Sequence, residues 1–97
     1  MKKYIRKNSK TIVVAYRLWI REELNEARKN TSTLTPRDSW SNDGWYNYTD
    51  FYGFNHIIDI DAWPYYVIIV KEDGYHCHMT RNNFEEKYEE VNELGEK

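Results

Sequence analysis

Two histidines flank a cysteine near the C-terminal end of the chain, as His76, Cys77 and His78. On a β-strand, side chains two residues apart share a face, so both imidazoles point to one side and the thiol to the other. Two imidazoles can bind a metal ion when a third ligand joins them, and His56 or an aspartate could supply it. Because no acid or cysteine stands at ligand spacing, the pattern favours half-exposed strand histidines and no metal. A Cys77 nucleophile is disfavoured too, since the base that activates a thiol must face it.

A pair of carboxylates, Asp59 and Asp61, alternates with isoleucines and is predicted to lie on one face of a short strand. Such a pair can hold Mg²⁺ or transfer protons if burial separates its two pKa values. Nothing in the sequence indicates burial, so a solvated pair that protects a strand edge is the favoured interpretation. The chain also lacks a glycine-rich phosphate loop, HExxH and GxSxG. We therefore expect a non-enzymatic protein without a cofactor.

Aromatic residues dominate the middle of the chain. Between Trp40 and Phe54, seven of fifteen residues are Trp, Tyr or Phe, separated by short polar residues and glycine. Rigid rings give contact area at low entropic cost, and short polar side chains supply adaptable hydrogen bonds. We expect about half of these rings to be buried and the others to form a partner-binding surface. The residues predicted to contact a partner, with the two aspartates pairing with basic groups, are Trp40, Asp43, Trp45, Tyr46, Tyr48, Asp50, Phe51 and Tyr52.

The length of 97 residues fits one domain, residues 1–97, with a modest stability margin that a homo-oligomer could supplement. The single cysteine excludes an intramolecular disulfide, which indicates a reducing compartment. No apolar stretch is long enough for a membrane span or suited to a signal peptide. A cytoplasmic protein is expected.

Charge is unevenly distributed along the chain. Lys and Arg concentrate in residues 1–37, whereas residues 38–70 contain aspartates and no base. The aromatic segment therefore has no cation with which to follow a nucleic-acid backbone, so the expected partner is a protein with a basic surface. The basic N-terminal third leaves a second ligand open, a nucleotide whose phosphates would be held by Arg6, Lys7, Arg17 or Arg37.

These side chains must be positioned by a small α+β fold. Turn chemistry and periodicity predict one or two strands within residues 2–18 and then a helix over 19–29. A long aromatic and polar loop insert follows over 31–54, with at most one strand inside, and leads to a strand over 56–61. The C-terminal part is predicted to form a hairpin of 65–71 with 75–79 around Gly74, a helix over 81–91 capped by Thr80, and a frayed tail over 92–97. We expect a small antiparallel sheet with one helix after the first strand and a C-terminal helix packed on the hairpin.

The C-terminal part of the chain has a recognisable order of elements. A strand at residues 67–70, the Gly74 turn and a short strand lead into an F-E-x-x-Y helix formed by Phe84, Glu85 and Tyr88. Together with the opening MKKYIRK and the following IVVAY, this order resembles a family of small phage and prophage proteins of unknown function. The resemblance covers both ends of the chain and implies a phage gene that acts on the host cell. No binding residue carries over from it.

Three functions stay open at this point. The favoured one is a phage-encoded, non-enzymatic protein that docks its aromatic loop onto a bacterial defence or regulatory protein in the host cytoplasm and inhibits it. One alternative is an oligomer that sequesters a nucleotide immune signal, with tyrosines stacked on the base. The other is a small metal-dependent enzyme built on the histidines and aspartates. The sequence leaves open whether His56, His76 and His78 converge.

Overall fold

The structure, a computed structural model, describes residues 2–37 and 44–91. Its elements in chain order are β1 (Lys3–Arg6), β2 (Ile12–Arg17), α1 (Arg21–Asn30), β3 (Thr35–Pro36), β4 (Trp45–Thr49), β5 (Asn55–Asp59), β6 (Tyr66–Val70), β7 (His76–Thr80), α2 (Arg81–Lys87) and β8 (Tyr88–Glu90). The predicted α+β class is confirmed. Neither described helix, of ten and seven residues, has the length and apolar character needed to cross a bilayer.

Five strands form an antiparallel sheet in the order β7-β6-β2-β1-β8. The predicted hairpin of β6 and β7 forms one side of it, and Gly74 takes a φ of +93° in the connecting turn, which glycine adopts without steric penalty. The N-terminal region forms two strands, paired as β1 and β2. The sheet thus joins both ends of the described chain.

Residues 31–54 are more than a loop insert. Their described part contains β3 and β4, which pair with β5 in a second, three-stranded antiparallel sheet in the order β3-β4-β5. Tyr46 and Tyr48 of β4 belong to the core, together with Leu34 just before β3. This region therefore contributes to the hydrophobic core, because the alternating pattern of β4 turns every second side chain inward.

The five-stranded sheet separates two hydrophobic clusters, since alternate residues of each strand face opposite sides. On one side, Ile68 packs against α1 and the three-stranded sheet through residues such as Leu24 and Ile58. On the other side, Val67 and Ile69 pack in the cluster that includes Phe84 of α2. Each helix therefore covers a different face of the same sheet.

The C-terminal helix is shorter than predicted. Thr80 caps it as expected, since its side chain accepts a hydrogen bond from the Asn83 amide at 3.3 Å. The helix contacts β7 and β6, as predicted for a helix packed on the hairpin. It ends at Lys87, where the predicted helix continued to residue 91, because Tyr88 pairs with Arg6 and starts β8. The predicted frayed tail, residues 92–97, lies outside the described residues.

Candidate functional site

A turn of exposed aromatic residues joins β4 to β5. Phe51, Tyr52 and Phe54 are 52%, 70% and 68% exposed. Asp50 organises the backbone, because its Oδ1 accepts hydrogen bonds from the amides of Tyr52 and Phe54, each at 3.0 Å. Gly53 supplies a φ of +91°. This aromatic turn, residues 50–54, is thus held in shape by its own first residue.

The second carboxylate oxygen of Asp50 binds a histidine. His56 Nε2 lies 2.9 Å from Asp50 Oδ2. This hydrogen bond, together with those from the turn amides, holds the pKa of Asp50 below its ordinary value. The carboxylate is engaged inside the protein on both oxygens. Oδ2 can accept one more hydrogen bond, so pairing of Asp50 with a basic group of a partner stays a prediction.

A buried tyrosine near the end of β4, just before the aromatic turn, binds a histidine of β7. Tyr48 is 0% exposed, and its hydroxyl lies 2.6 Å from His76 Nδ1 on β7. Burial raises the pKa of Tyr48, so the hydroxyl keeps its proton and can act as the donor in this hydrogen bond. The Phe51 amide also donates to the His76 carbonyl, at 3.4 Å. The turn is therefore tied to β7 by a side chain and by the backbone.

The three histidines converge around Tyr48. The rings of His56 and His78 lie 4.4 Å apart between centroids, and those of His76 and His78 each lie 5.6 Å from the Tyr48 ring. Burial, and then the neighbouring His56, lower the pKa of His78. Within residues 2–37 and 44–91, no three His, Cys, Asp or Glu side chains are grouped so that they could hold a metal ion. The convergence forms a packed contact between the two sheets.

Tyr75, which is not among the residues predicted to contact a partner, extends the aromatic surface of the turn. Its ring centroid lies 5.4 Å from that of Phe51 and 5.9 Å from that of Tyr52, which are 5.6 Å from each other. Burial raises the pKa of Tyr75 to about 12. Its place directly after the Gly74 turn was visible in the sequence. Its contact with the aromatic turn depends on how the two sheets meet, which the sequence pattern does not reveal.

The remaining residues predicted to contact a partner are placed differently. Tyr46 and Tyr48 are 7% and 0% exposed, which corrects the expectation that they are surface anchors. Trp45 lies on the opposite face of β4, half-buried in a cleft of about 200 Å³ that Trp63 also lines. Trp40 and Asp43 lie outside the described residues. Within the described chain, the predicted surface is thus reduced to the aromatic turn.

The four cations predicted to hold phosphate are not brought together. Arg17 donates hydrogen bonds to Glu23 through its backbone amide and its guanidinium. Burial alone would raise the pKa of Glu23, but these bonds hold that pKa below its ordinary value. Arg37 donates to an asparagine of the three-stranded sheet at 3.2 Å, and Lys7 donates to a carbonyl of α2 at 3.3 Å. Arg6 lies at the other end of the sheet from Arg17 and lines a groove.

This groove, of about 580 Å³, crosses the face of the five-stranded sheet beside the aromatic turn. Its apolar lining comes from Ile69, Cys77 and Met79, which share one face of β6 and β7. Burial raises the pKa of the Cys77 thiol, so the thiol is neutral there. The polar and aromatic lining comes from Arg6, Lys71, Asp73, Phe51, Tyr52, Tyr75 and Tyr88.

The paired carboxylates lie away from the histidines. Asp59 is the last residue of β5 and Asp61 lies two residues beyond it, where Asp59 Oδ1 accepts a hydrogen bond from the Asp61 amide at 2.9 Å. A Cβ atom on Gly44 would stand 2.8 Å from the same oxygen. Asp59 and His56 occupy opposite faces of β5, because they are three residues apart on a strand. The pair shapes a turn, and the structure does not bring it into one site with the histidines.

These observations define a small α+β protein whose two antiparallel sheets present an exposed aromatic turn beside a groove lined by rings and cations. No protein-family model, no curated protein and no solved structure matches the chain. The resemblance to small phage proteins therefore stays a prediction from the sequence.

Proposed function

We propose that this chain is a non-enzymatic binding protein that docks its aromatic turn onto a protein of a bacterial host and blocks it. The observation that carries the proposal is the exposure of Phe51, Tyr52 and Phe54 within four residues of sequence. Exposed clusters of large rings are typical of interfaces, where tyrosine and other aromatic residues act as anchors. Tyr75 extends the same surface from the neighbouring hairpin.

The geometry of the turn suits this role because it is fixed before binding. Asp50 binds two turn amides and His56, and the Phe51 amide binds the His76 carbonyl. A surface that is already ordered loses less conformational entropy when a partner docks, so more of the contact energy appears as affinity. The supports of the turn therefore contribute to binding without contacting the partner.

The partner is proposed in part from the sequence. The phage origin, and with it a host defence or regulatory protein as target, comes from the sequence resemblance. A basic partner surface comes from the acidic middle of the chain. With Asp50 engaged in the turn, we expect recognition to depend first on the aromatic rings and only second on charge.

A comparison of captured proteins tests the proposal. Tagged wild-type protein and a Tyr52→Ala/Phe54→Ala double variant are incubated with bacterial host lysate, and the retained proteins are identified by mass spectrometry. We expect at least one protein to be retained by the wild type and lost with the double variant. Loss of two anchors should weaken binding to that purified protein by roughly 2–4 kcal/mol, measured by titration calorimetry.

Trp63→Ala is the matched control, because Trp63 is 77% exposed but lies in the separate cleft beside Trp45. It should retain the same host protein as the wild type. Identical captures by the wild type and the double variant would contradict the role of the aromatic turn. Loss of capture with Trp63→Ala alone would move the interface to the other surface.

A further inference from the structure

Two cations in the groove lack an acidic partner among the described residues. Arg6 and Lys71 both line it, and neither takes part in an ion pair between described residues. Among the described residues, Asp73 is the one carboxylate of the lining, and its Oδ1 accepts a hydrogen bond from the Tyr75 amide at 3.0 Å. The groove therefore presents more positive than negative charge, in contrast to the acidic sequence that forms the neighbouring aromatic turn.

Aromatic rings hold the two cations at the groove. The Arg6 guanidinium lies 5.9 Å from the centroid of Tyr88, and the Lys71 ammonium lies 5.1 Å from that of Tyr75. Strands β1 and β6 are separated in the sheet by β2, so their backbones are roughly 10 Å apart. Side chains as long as arginine and lysine can meet around one phosphate across that distance.

We infer that the groove binds a nucleoside monophosphate, with the phosphate between Arg6 and Lys71 and the base against Tyr52 and Tyr75. Arginine offers a planar fork to phosphate oxygens and lysine a point charge, while tyrosine rings stack on any base. Tyr88 is only 5% exposed, so it positions Arg6 and leaves base contact to the more accessible rings. The volume of about 580 Å³ lies within the range of small-molecule sites.

This site goes beyond the proposed docking of a host protein and is tested separately. The purified wild-type protein is titrated by calorimetry, at low salt, with AMP, GMP, CMP and UMP, and in parallel with adenosine and with inorganic phosphate. All four nucleotides should bind, because stacking tolerates every base. Adenosine and phosphate should each bind at least about tenfold more weakly than AMP, since each lacks one half of the contacts.

Substitutions in the groove should separate the contribution of the phosphate contacts from that of the base contacts. Lys71→Gln should weaken AMP binding by about tenfold, because a charge-assisted contact to the phosphate is lost, while adenosine binding stays unchanged. Tyr75→Leu should weaken adenosine and AMP alike. Lys29→Gln is the matched control, since Lys29 is an exposed lysine of α1 whose charge pairs with Glu26, and it should bind AMP as the wild type does. Melting curves without ligand verify that each variant is folded, and Arg6→Gln replaces Lys71→Gln if the latter is not.

Three results would overturn the inference. The first is the absence of binding for all four nucleotides at millimolar concentration. The second is binding of inorganic phosphate as tight as that of AMP, which would leave an anion site without base recognition. The third is an AMP affinity that is the same in folded Lys71→Gln and in the wild type. None of these results bears on Phe54, which does not line the groove, so the docking proposal is judged independently.

Discussion

Replacing Tyr48 with phenylalanine tests whether one buried hydroxyl ties the aromatic turn to the five-stranded sheet. The ring is 0% exposed and its hydroxyl lies 2.6 Å from His76 Nδ1. Phenylalanine keeps the ring in place, so the hydrogen bond is removed without opening a large cavity. Losing the bond costs about 0.5–1.5 kcal/mol, and leaving Nδ1 unpaired on a half-buried ring adds part of its desolvation penalty. We expect the free energy of unfolding to fall by about 1.5 kcal/mol.

Urea unfolding at about pH 7.5, where an ordinary histidine is neutral, measures this change. The unfolding midpoint should fall by roughly 1 M urea, and the melting temperature by roughly 6–12 °C. Hydrogen exchange should show faster exchange of the Phe51 amide, because its acceptor, the His76 carbonyl, lies on the residue that Tyr48 holds. Tyr52→Phe is the control, since that hydroxyl is on an exposed ring, and it should change stability by less than about 0.5 kcal/mol.

A double-mutant cycle decides whether the effect belongs to this pair. In a His76→Leu background, Tyr48→Phe should cost about 1 kcal/mol less than in the wild type, because its partner is already absent. Equal costs in both backgrounds would show that the hydroxyl acts elsewhere. A Tyr48→Phe variant as stable as the wild type would refute the role of the bond altogether.

Three further predictions concern two titrating groups near Tyr48 and one glycine beside Asp59. Burial and His56 hold the pKa of His78 below its ordinary value, so the folded protein binds a proton at this site less readily than the unfolded chain. The contribution of His78 to stability should therefore be complete above about pH 6.5 and decrease below it. In urea titrations at several pH values, His78→Phe should reduce this dependence of stability on pH. Asp50, with its lowered pKa, adds a separate loss of stability only as the pH falls below 3.8, the ordinary pKa of an aspartate. Gly44→Ala should lower the free energy of unfolding by about 1–3 kcal/mol, because the new Cβ would stand 2.8 Å from Asp59 Oδ1. The loss should be smaller in an Asp59→Ala background, and equal losses in the two backgrounds would contradict the clash.

Local signals in the sequence predicted the hairpin of β6 and β7, helix α1 and the start of α2. The Gly74 turn, the Thr80 cap and the apolar spacing of Leu24 and Ala27 in α1 each act over a few residues, and the structure contains all three. The end of α2 could not be predicted in the same way. Phe84 and Tyr88 are spaced for one helix face, yet Tyr88 starts β8, because pairing with Arg6 of β1 decides its conformation.

The candidate site was predicted only in part, for a similar reason. The alternation of Tyr46 and Tyr48 with polar residues indicated a strand but not which face would be buried. That face is decided by the packing of β4 against the five-stranded sheet, which involves residues far away in the chain. The same packing brings His56 to His78 and Tyr75 to the aromatic turn, so neither contact has a local sequence signal.

The division of one aromatic segment between core and surface gives the strongest argument for a binding role. In β4, burial explains the tyrosines, since Tyr46 and Tyr48 fill the space between the two sheets. In the turn, burial explains the rings only in part, because Phe51 and Phe54 remain more than half exposed, at 52% and 68%. The hydrogen bonds that form the turn come from backbone amides and Asp50, so the backbone geometry of the turn does not depend on aromatic side chains at these positions. Folding therefore accounts for the aspartate and the glycine of this turn, and we propose that contact with another molecule accounts for its exposed aromatic rings.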